Sequence, residues 1–310
     1  MMALVCVSMT YVSCDSDKEK MEEHINSVYG QKVGNLYYKV VGSNAQLTGL
    51  PQMDADMAKL TTVTVPSQVT IDGQTYTVTS IGPGAFIESP NLTTVSIPNT
   101  VTEIEDNAFA FCTSLRNVTL PSGLKTISGA LFHECTSLTS ITIPDGVTVI
   151  SHEAFHGSGL TELTIPESVT SIGDKIIRNC HSLRTLKILS KSLTIDQKFF
   201  YDNCLYEMSG LTSLTICCKT IGQQAVGGLS ALTEIVLGEG VERIDDNAIV
   251  GGCNNLKDIY CNTTSVPEIA EHSFDYNLFE NCTLHVPSAL LDAYKADANW
   301  NQFQKIVTQP

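Results

Sequence analysis

Hydrophobic and polar positions follow a pattern that repeats about every 23 residues from Leu92 onward. Counted from Leu92, apolar residues recur at offsets 3, 5, 9, 12, 16 and 17, with a proline at offset 6 and a cysteine at offset 20. The unit that begins at Leu115 has the same register, and further units begin at Leu138, Leu160, Leu183, Leu211, Leu232 and Leu256. Self-similarity at this period predicts a solenoid, in which each unit buries its apolar face only by stacking on its neighbours.

Each unit is predicted to contain a strand, a turn, a second short strand and a helical turn. In the third unit Ile141 and Ile143 alternate with outward Thr142, and the run ends at Pro144, which has no amide hydrogen to donate. A second apolar run, Val147 to Ile150, follows a Pro-Asp-Gly turn and precedes an Ala-Phe pair. We therefore expect a β-rich α/β solenoid of about eight coils.

Both ends of the solenoid are predicted to carry caps, because an open stack would expose its strand edges. Asp72-Gly73 lies between alternating runs and predicts a hairpin in an N-terminal β cap that joins the first coil at Ala85-Phe86. At the other end Ser288 is expected to cap a helix whose apolar side chains cover the last coil. These side chains are Leu290, Leu291, Tyr294, Trp300 and Phe303. The expected division is 35–91 for the N-terminal cap with a first partial repeat, 92–260 for the repeats, and 261–310 for the last repeat with its cap.

The first fourteen residues are apolar and end in Val12-Ser13-Cys14, which resembles the end of a bacterial lipoprotein signal peptide. Two departures are that no Lys or Arg precedes the apolar run and that Tyr11 stands where the motif usually has Leu. The resemblance implies that Cys14 carries a lipid, that residues 15–34 form a charged tether, and that this lipid is the chain's sole membrane contact. An outer-membrane lipoprotein or an extracellular protein is then expected, and a leader without function is the alternative.

Charge and sequence motifs argue against several classes of function. The formal net charge is −15, and 18 Lys plus Arg are scattered along the 310 residues, which argues against nucleic acid as a partner. The sequence motifs of serine hydrolases and of dinucleotide and phosphate sites are absent. We therefore predict a non-enzymatic, monomeric chain without a cofactor.

Histidines and acids of adjacent units come nearest to a metal-binding set. His133 and His156 each follow the equivalent phenylalanine, so their side chains can approach one another, and His152, Glu134 and Glu153 lie beside them. Imidazoles at the solvated edge of a solenoid are common without a metal. The sequence favours that interpretation, and no metal site is predicted.

Cysteines follow the repeat and do not form a disulfide framework. Cys112, Cys135 and Cys180 occupy offset 20, where Ser158 also occurs, so a small buried residue is expected there. A bond between Cys112 and Cys135 on adjacent coils remains open. The Cys217-Cys218 pair replaces a proline position and is interpreted as packing drift.

Outward strand positions form two ladders of mostly short polar side chains, at offsets 2 and 4 of each unit. One interpretation is a solvated β-sheet face without a binding role, for which Thr and Ser are common. The functional hypothesis is a flat binding platform that changes character towards Val236, Asp258 and Tyr260. The candidate binding residues are Thr119, Thr142, Thr164, Lys187, Thr215 and Tyr260.

The repeated pattern L-x-x-I-x-I-P-x-x-V-x-x-I-x-x-x-A-F-x-x-C resembles the BspA-type leucine-rich repeat of surface proteins in gut and oral Bacteroidota. The resemblance covers roughly residues 63–287 and drifts after Leu183, where Leu189, Cys217 and Gly238 replace the proline. It implies an adhesin-like protein that binds a protein or glycan on a host or bacterial surface. A carbohydrate-capturing lipoprotein, an enzyme with a site between coils and a structural spacer are the alternatives. One Trp and 7% aromatic residues make the carbohydrate function less favoured.

Overall fold

A computed structural model describes residues 23, 25–49, 59–196, 199 and 208–309. The chain forms a parallel β-solenoid of about ten turns, which confirms the expected fold class. Most of the described turns contribute a first strand, a shorter second strand and a tight turn that carries the apolar pair of offsets 16 and 17. The ladder of first strands extends beyond the eight expected units, because strands at 62–64, 283–286 and 305–308 join it.

The first strands form two parallel sheets. The three-stranded sheet contains, in spatial order, Thr62–Thr64, Thr94–Ser96 and Asn117–Thr119. The seven-stranded sheet contains, in spatial order, Glu162–Ile165, Thr185–Ile188, Ser213–Ile216, Glu234–Leu237, Asp258–Cys261, Thr283–Val286 and Lys305–Thr308. In both sheets each strand pairs with the next unit without a shift in register, so equivalent offsets lie side by side.

The strand expected at 140–143 in the third unit is absent, and the two sheets stop on either side of it. Ile141 and Val118, at offset 3 of their units, are half-buried, whereas Leu163 and Leu186 at the same offset are 1% exposed. The interruption therefore falls where the offset-3 side chains are less buried, although Val118 still lies in a strand. Alternation of apolar and polar residues alone predicted a strand that the packing does not form.

The second strands are two residues long and also pair in parallel. One sheet contains Thr126–Ile127, Val149–Ile150 and Ser171–Ile172, and another contains Thr220–Ile221, Arg243–Ile244 and Glu268–Ile269. Glu103–Ile104 pairs with a strand of the N-terminal cap. The predicted second strand thus exists in most units, although it is shorter than the apolar run 147–150 suggested.

Phenylalanines at offset 17 form a column through the interior. The rings of Phe86 and Phe109 are 5.5 Å apart, those of Phe109 and Phe132 are 5.7 Å apart, and those of Phe132 and Phe155 are 6.0 Å apart, all nearly parallel. Each of these four side chains is fully buried. Dispersion contacts between stacked rings therefore join one coil to the next, as the repeat predicted.

Two positions in most of the described turns adopt left-handed backbone conformations. At offset 19 these are Phe111, Glu134, Gly157 and Asn179, with φ between 56° and 67°, and offset 15 behaves in the same way. This conformation costs roughly 1–2 kcal/mol for a residue other than glycine. Since few of these positions are glycine, the apolar column and the hydrogen bonds between coils must hold the turns in place.

The N-terminal cap is a β-sheet that continues into the solenoid. Its strands are Gln31–Val33, Leu36–Val41, Asn44–Gly49, Gln68–Ile71 and Gln74–Ile81, preceded by a helical segment at 25–29. The hairpin expected at Asp72-Gly73 is present, with both residues at positive φ. Positive φ at both central residues is the geometry that makes Asp-Gly a strong hairpin signal.

The C-terminal cap covers the last coil with a cluster of aromatic side chains. Helices span Tyr276–Asn281 and Leu291–Ala296, and single 3₁₀ turns span Ser288–Leu290 and Trp300–Gln302. Trp300 and Tyr294 are fully buried, and the Trp300 indole donates a hydrogen bond of 2.8 Å to the carbonyl of Pro267. The expected helix cap at Ser288 is wrong, because Ser288 is the first residue of a 3₁₀ turn and its side chain makes no capping bond.

We expect Phe132→Ala to lower the free energy of unfolding by about 3–5 kcal/mol, because it opens a cavity in the phenylalanine column. Phe111→Ala is the matched control, since this ring is 42% exposed and belongs to the neighbouring coil. Its effect should stay within about 0.5 kcal/mol. Urea unfolding followed by circular dichroism measures both, and equal losses would show that the column does not join the coils.

Candidate functional site

The outward side chains of offsets 2 and 4 form the surface that we name the repeat face. Thr164, Lys187, Thr215 and Tyr260 lie on one ladder of the seven-stranded sheet, in direct register through Val236. Thr164 and Lys187 are exposed, and the other members are partly exposed. Four of the six predicted binding residues therefore share one continuous, accessible row, and their role in binding remains a prediction.

The other two predicted binding residues lie off that row. Thr119 is exposed on the three-stranded sheet, beside Ser96. Thr142 is exposed in the interruption between the two sheets, where no strand forms. The predicted binding surface is thus divided between two sheets, which the sequence pattern did not predict.

A groove of about 780 Å³ opens where the sheet is interrupted. Thr142 and Thr164 line it from the two adjacent coils, so the structure brings these two predicted residues together. Asp145, Glu162 and Glu167 also line the groove, together with apolar Ile141, Ile143, Pro166 and Leu189. Three carboxylates around a partly apolar floor favour a cationic ligand group over an anionic one.

Tyr260 stands at the other end of the row, beside two titratable neighbours. Its ring is stacked on that of His285 at a centroid distance of 4.3 Å, and Nε2 of His285 lies 2.8 Å from Oδ1 of Asp258. Partial burial and the charges of Asp258 and Glu234 raise the pKa of Tyr260 above its usual value. Because His285 covers one face of the ring, a ligand can contact the hydroxyl group and the edge of Tyr260 more easily than that face.

Side chains from two adjacent turns form a second cluster, at the edge that carries offsets 18 and 19. One ring nitrogen each of His133 and His156 and one carboxylate oxygen of Glu134 lie within 4.8 Å of one another. The two imidazole rings are stacked at 4.5 Å. We name these three residues the histidine cluster. His152, which the sequence grouped with them, lies outside it and against Gly129.

Each imidazole of the histidine cluster lies beside a polar side chain. Nδ1 of His133 lies 3.5 Å from a carboxylate oxygen of Glu153, and Nε2 of His156 lies 3.1 Å from the side-chain amide of Asn179. Nδ1 of His156 is buried and has no hydrogen-bond partner among the described residues. Burial and, to a smaller extent, the neighbouring His133 lower the pKa of His156, while Glu153 and Glu134 oppose this effect. His156 therefore favours the neutral form, which is the form that binds metals.

Backbone geometry directs Glu134 towards its neighbour in the next turn. Glu134 has φ of 56°, and its backbone amide donates a hydrogen bond of 2.7 Å to the carbonyl of His156. Its carboxylate occupies the space beside Gly157, where a Cβ atom would collide with Oε1. Glycine at position 157 thus leaves room for the carboxylate, and the sequence alone did not reveal this contact.

The eight cysteines within the described residues are free, and seven of them are buried. The thiols of Cys112, Cys135 and Cys180 each lie 3.1 Å from a backbone carbonyl of the preceding coil. Burial raises the pKa of Cys112 to about 12, so this thiol is unreactive at neutral pH. Offset 20 therefore holds a small buried donor, as the equivalence with Ser158 predicted, and the open Cys112–Cys135 bond is not formed.

The predicted lipid attachment at Cys14 and the segment 1–14 lie outside the described residues. Among the helices that the structure does describe, none has the length and apolar character needed to cross a bilayer.

Replacing Gly157 with alanine should destabilise the fold more than the same change at Gly228. Both glycines have φ close to 67°, so each substitution should cost about 1–2 kcal/mol for the left-handed conformation. Only at Gly157 does the new methyl group also displace a carboxylate, since nothing lies within 4 Å of the equivalent point at Gly228. That displacement adds only about 0.5 kcal/mol, because the carboxylate is the far end of a flexible side chain and can move away. Urea denaturation compares the two, and equal losses would contradict the placement of Glu134.

Comparisons with known proteins agree with this architecture. The family described as "BspA type Leucine rich repeat region" matches residues 79–207 and 201–291, in six copies. A leucine-rich repeat protein from Bacteroides ovatus ATCC 8483 is 22% identical with a TM-score of 0.58, over 91% of this chain and 77% of that one. The T. pallidum leucine-rich repeat protein is 25% identical with a TM-score of 0.54, over 65% of this chain and 90% of that one.

No curated protein matches the chain. The solenoid of leucine-rich repeat proteins is generally non-catalytic, and proteins with these repeats commonly take part in surface interactions. The family match covers more than half of the chain, and its repeats coincide with the coils of the solenoid. The chain therefore belongs to the BspA-type leucine-rich repeat family.

Proposed function

We propose that this chain is a non-catalytic, adhesin-like cell-surface protein that binds a partner protein through its repeat face. The observation that carries the proposal is the uninterrupted row from Thr164 to Tyr260, whose side chains project from a rigid parallel sheet and stay accessible. A row of this kind gives a flat surface of fixed geometry. Ordering it on binding costs little conformational entropy, because its backbone is already fixed.

Charge on the repeat face favours a partner with a basic surface. Glu162, Glu234 and Asp258 occupy offset 2 of the seven-stranded sheet, and Asp145 and Glu167 add to the groove beside it. Lys187 is the single cation among the six predicted binding residues. Complementary charge accelerates association and makes it sensitive to ionic strength. The net charge of −15 acts in the same direction.

A glycan is the second candidate ligand, and the geometry around Tyr260 makes it less favoured. Carbohydrate sites use an open aromatic face for apolar contact with the sugar ring, and His285 covers one face of Tyr260. A protein partner can use the edge and the hydroxyl instead. The groove at Thr142 and Thr164 is lined by no aromatic side chain.

The proposed location is the cell envelope, with a lipid on Cys14 as the sole membrane anchor and residues 15–34 as a tether. This part of the proposal rests on the sequence resemblance of Val12-Ser13-Cys14 to a lipoprotein leader. Protease treatment of intact cells tests it, because an outward-facing solenoid is removed from the surface, whereas a periplasmic spacer is protected.

Neutralising the three acidic residues at offset 2 of the repeat face should weaken binding of the full chain to a basic protein surface. The variant carries Glu162→Gln, Glu234→Gln and Asp258→Asn, and its matched control carries Glu103→Gln, Glu242→Gln and Glu268→Gln. The control removes the same charge from exposed positions at the second strands. Because charged contacts across an interface can each contribute more than 1 kcal/mol, we expect at least a tenfold loss of affinity in the first variant alone.

The measurement is surface plasmon resonance of the full chain against matrix proteins and bacterial surface extracts, at low and at physiological salt. Tyr260→Ala should also reduce retention of the same partner. Equal binding by the two charge variants would reject the repeat face as the contact surface. Binding to a glycan array without protein binding would favour the carbohydrate function, and a flat response on every surface would favour a spacer.

A further inference from the structure

We propose that His133, Glu134 and His156 form a binding site for one Zn²⁺ ion, which joins the second and third coils of the repeat array. The site lies at the turn edge of the solenoid and is separate from the repeat face. One potential ligand atom from each side chain lies within 4.8 Å of the others. Zn²⁺ binds histidine nitrogen and carboxylate oxygen at about 2.0–2.2 Å, so the three ligands need to close in by about an ångström around the ion.

The partners of the two imidazoles support this assignment. A metal-binding histidine usually donates the N–H of one ring nitrogen to a carboxylate or carbonyl oxygen and binds the ion through the other nitrogen. His133 has Nδ1 facing the carboxylate of Glu153 at 3.5 Å, which leaves Nε2 for the metal. His156 has Nε2 facing the amide of Asn179 at 3.1 Å, which leaves Nδ1. The atom of Asn179 that faces Nε2 is its amide nitrogen; a 180° flip of the amide places the oxygen there, so that Nε2 carries the proton and Nδ1 keeps a lone pair for the ion.

Buried Nδ1 of His156 is otherwise unexplained. It has no hydrogen-bond partner among the described residues, and a buried polar atom without a partner costs roughly 1–3 kcal/mol. An ion bound at this nitrogen would remove the deficit. The rings of His156 and His133 are stacked at 4.5 Å with 11° between them, and because the nitrogen lone pairs lie in the ring planes, at least one ring turns towards the ion on binding.

Room for the third ligand is built into the backbone. The left-handed conformation of Glu134 turns its side chain towards the next coil, and the missing side chain at Gly157 leaves space for the carboxylate. The hydrogen bond from the Glu134 amide to the His156 carbonyl fixes the spacing of the two turns. Glu153 adds negative charge beside the imidazoles, whereas the positive charge of Arg178 disfavours the binding of a cation. Three protein ligands leave a fourth tetrahedral position for water.

Zinc is favoured over the other common divalent ions by the ligand set. Two imidazoles and one carboxylate suit Zn²⁺, whereas Ca²⁺ and Mg²⁺ require oxygen ligands in larger number. Cys135 is close in sequence, but its thiol is buried and directed at the carbonyl of Phe109. The proposed site therefore contains nitrogen and oxygen ligands without sulfur.

Isothermal titration of the full chain with Zn²⁺ tests the proposal. We expect one saturable site per chain and a Tm that rises with zinc concentration, because an ion bound by the folded state stabilises it. His156→Gln and Glu134→Gln should each abolish this site or weaken it at least tenfold. Asn179→Ala, which removes an orienting partner and no ligand, should weaken it by about 10–100-fold. His152→Gln is the matched control, since this histidine belongs to the same coil and lies outside the cluster.

Circular dichroism of each variant without metal separates loss of the site from loss of the fold. Co²⁺ bound in place of Zn²⁺ should give a tetrahedral visible spectrum without a thiolate charge-transfer band. Absence of saturable zinc binding, equal weakening by His152→Gln, or unchanged binding by folded Glu134→Gln and His156→Gln would each overturn the proposal. Since the repeat face is untouched in these variants, the outcome is independent of partner binding.

Discussion

The stability of every coil depends on contacts that only its two neighbours can supply. A single turn has two short strands with no partner inside the turn, and its offset-17 phenylalanine has no ring to stack on. Neighbouring coils provide both, through parallel ladders in constant register and rings 5.5–6.0 Å apart. Both contacts recur once in every turn, so successive units keep the same offsets and the pattern repeats about every 23 residues. The caps follow from it, because the first and last coils each lack one neighbour.

The parts of the fold that repeat could be predicted from the sequence, since each unit repeats the same evidence. Phe109, Phe132 and Phe155 occupy one offset, and a constant offset in a stacked chain means a column. The same argument gives the outward row from Thr164 to Tyr260 and the free, buried cysteines at offset 20. Periodicity therefore establishes position within a coil without any knowledge of side-chain packing.

Features confined to one unit could not be predicted in the same way. The third unit has the strand pattern at 140–143, yet the strand is missing and Ile141 is only half-buried. Ser288 resembles a helix cap, but the chain makes a 3₁₀ turn before the helix begins. The left-handed positions at offsets 15 and 19 carry few glycines, so composition gives little warning of them. In each case the outcome depends on how adjacent coils fit, which a linear pattern does not contain.

The candidate sites show how function can be added to such a stack at small cost to its stability. Both the repeat face and the histidine cluster use side chains that project from the coil, while the core positions beside them stay apolar and buried. Sequence offsets placed His133 and His156 side by side, but the direction of Glu134 depends on a left-handed turn and on the absence of a side chain at Gly157. Local backbone geometry, repeated for structural reasons, thus creates a cluster where the side chains of two adjacent coils are suitable.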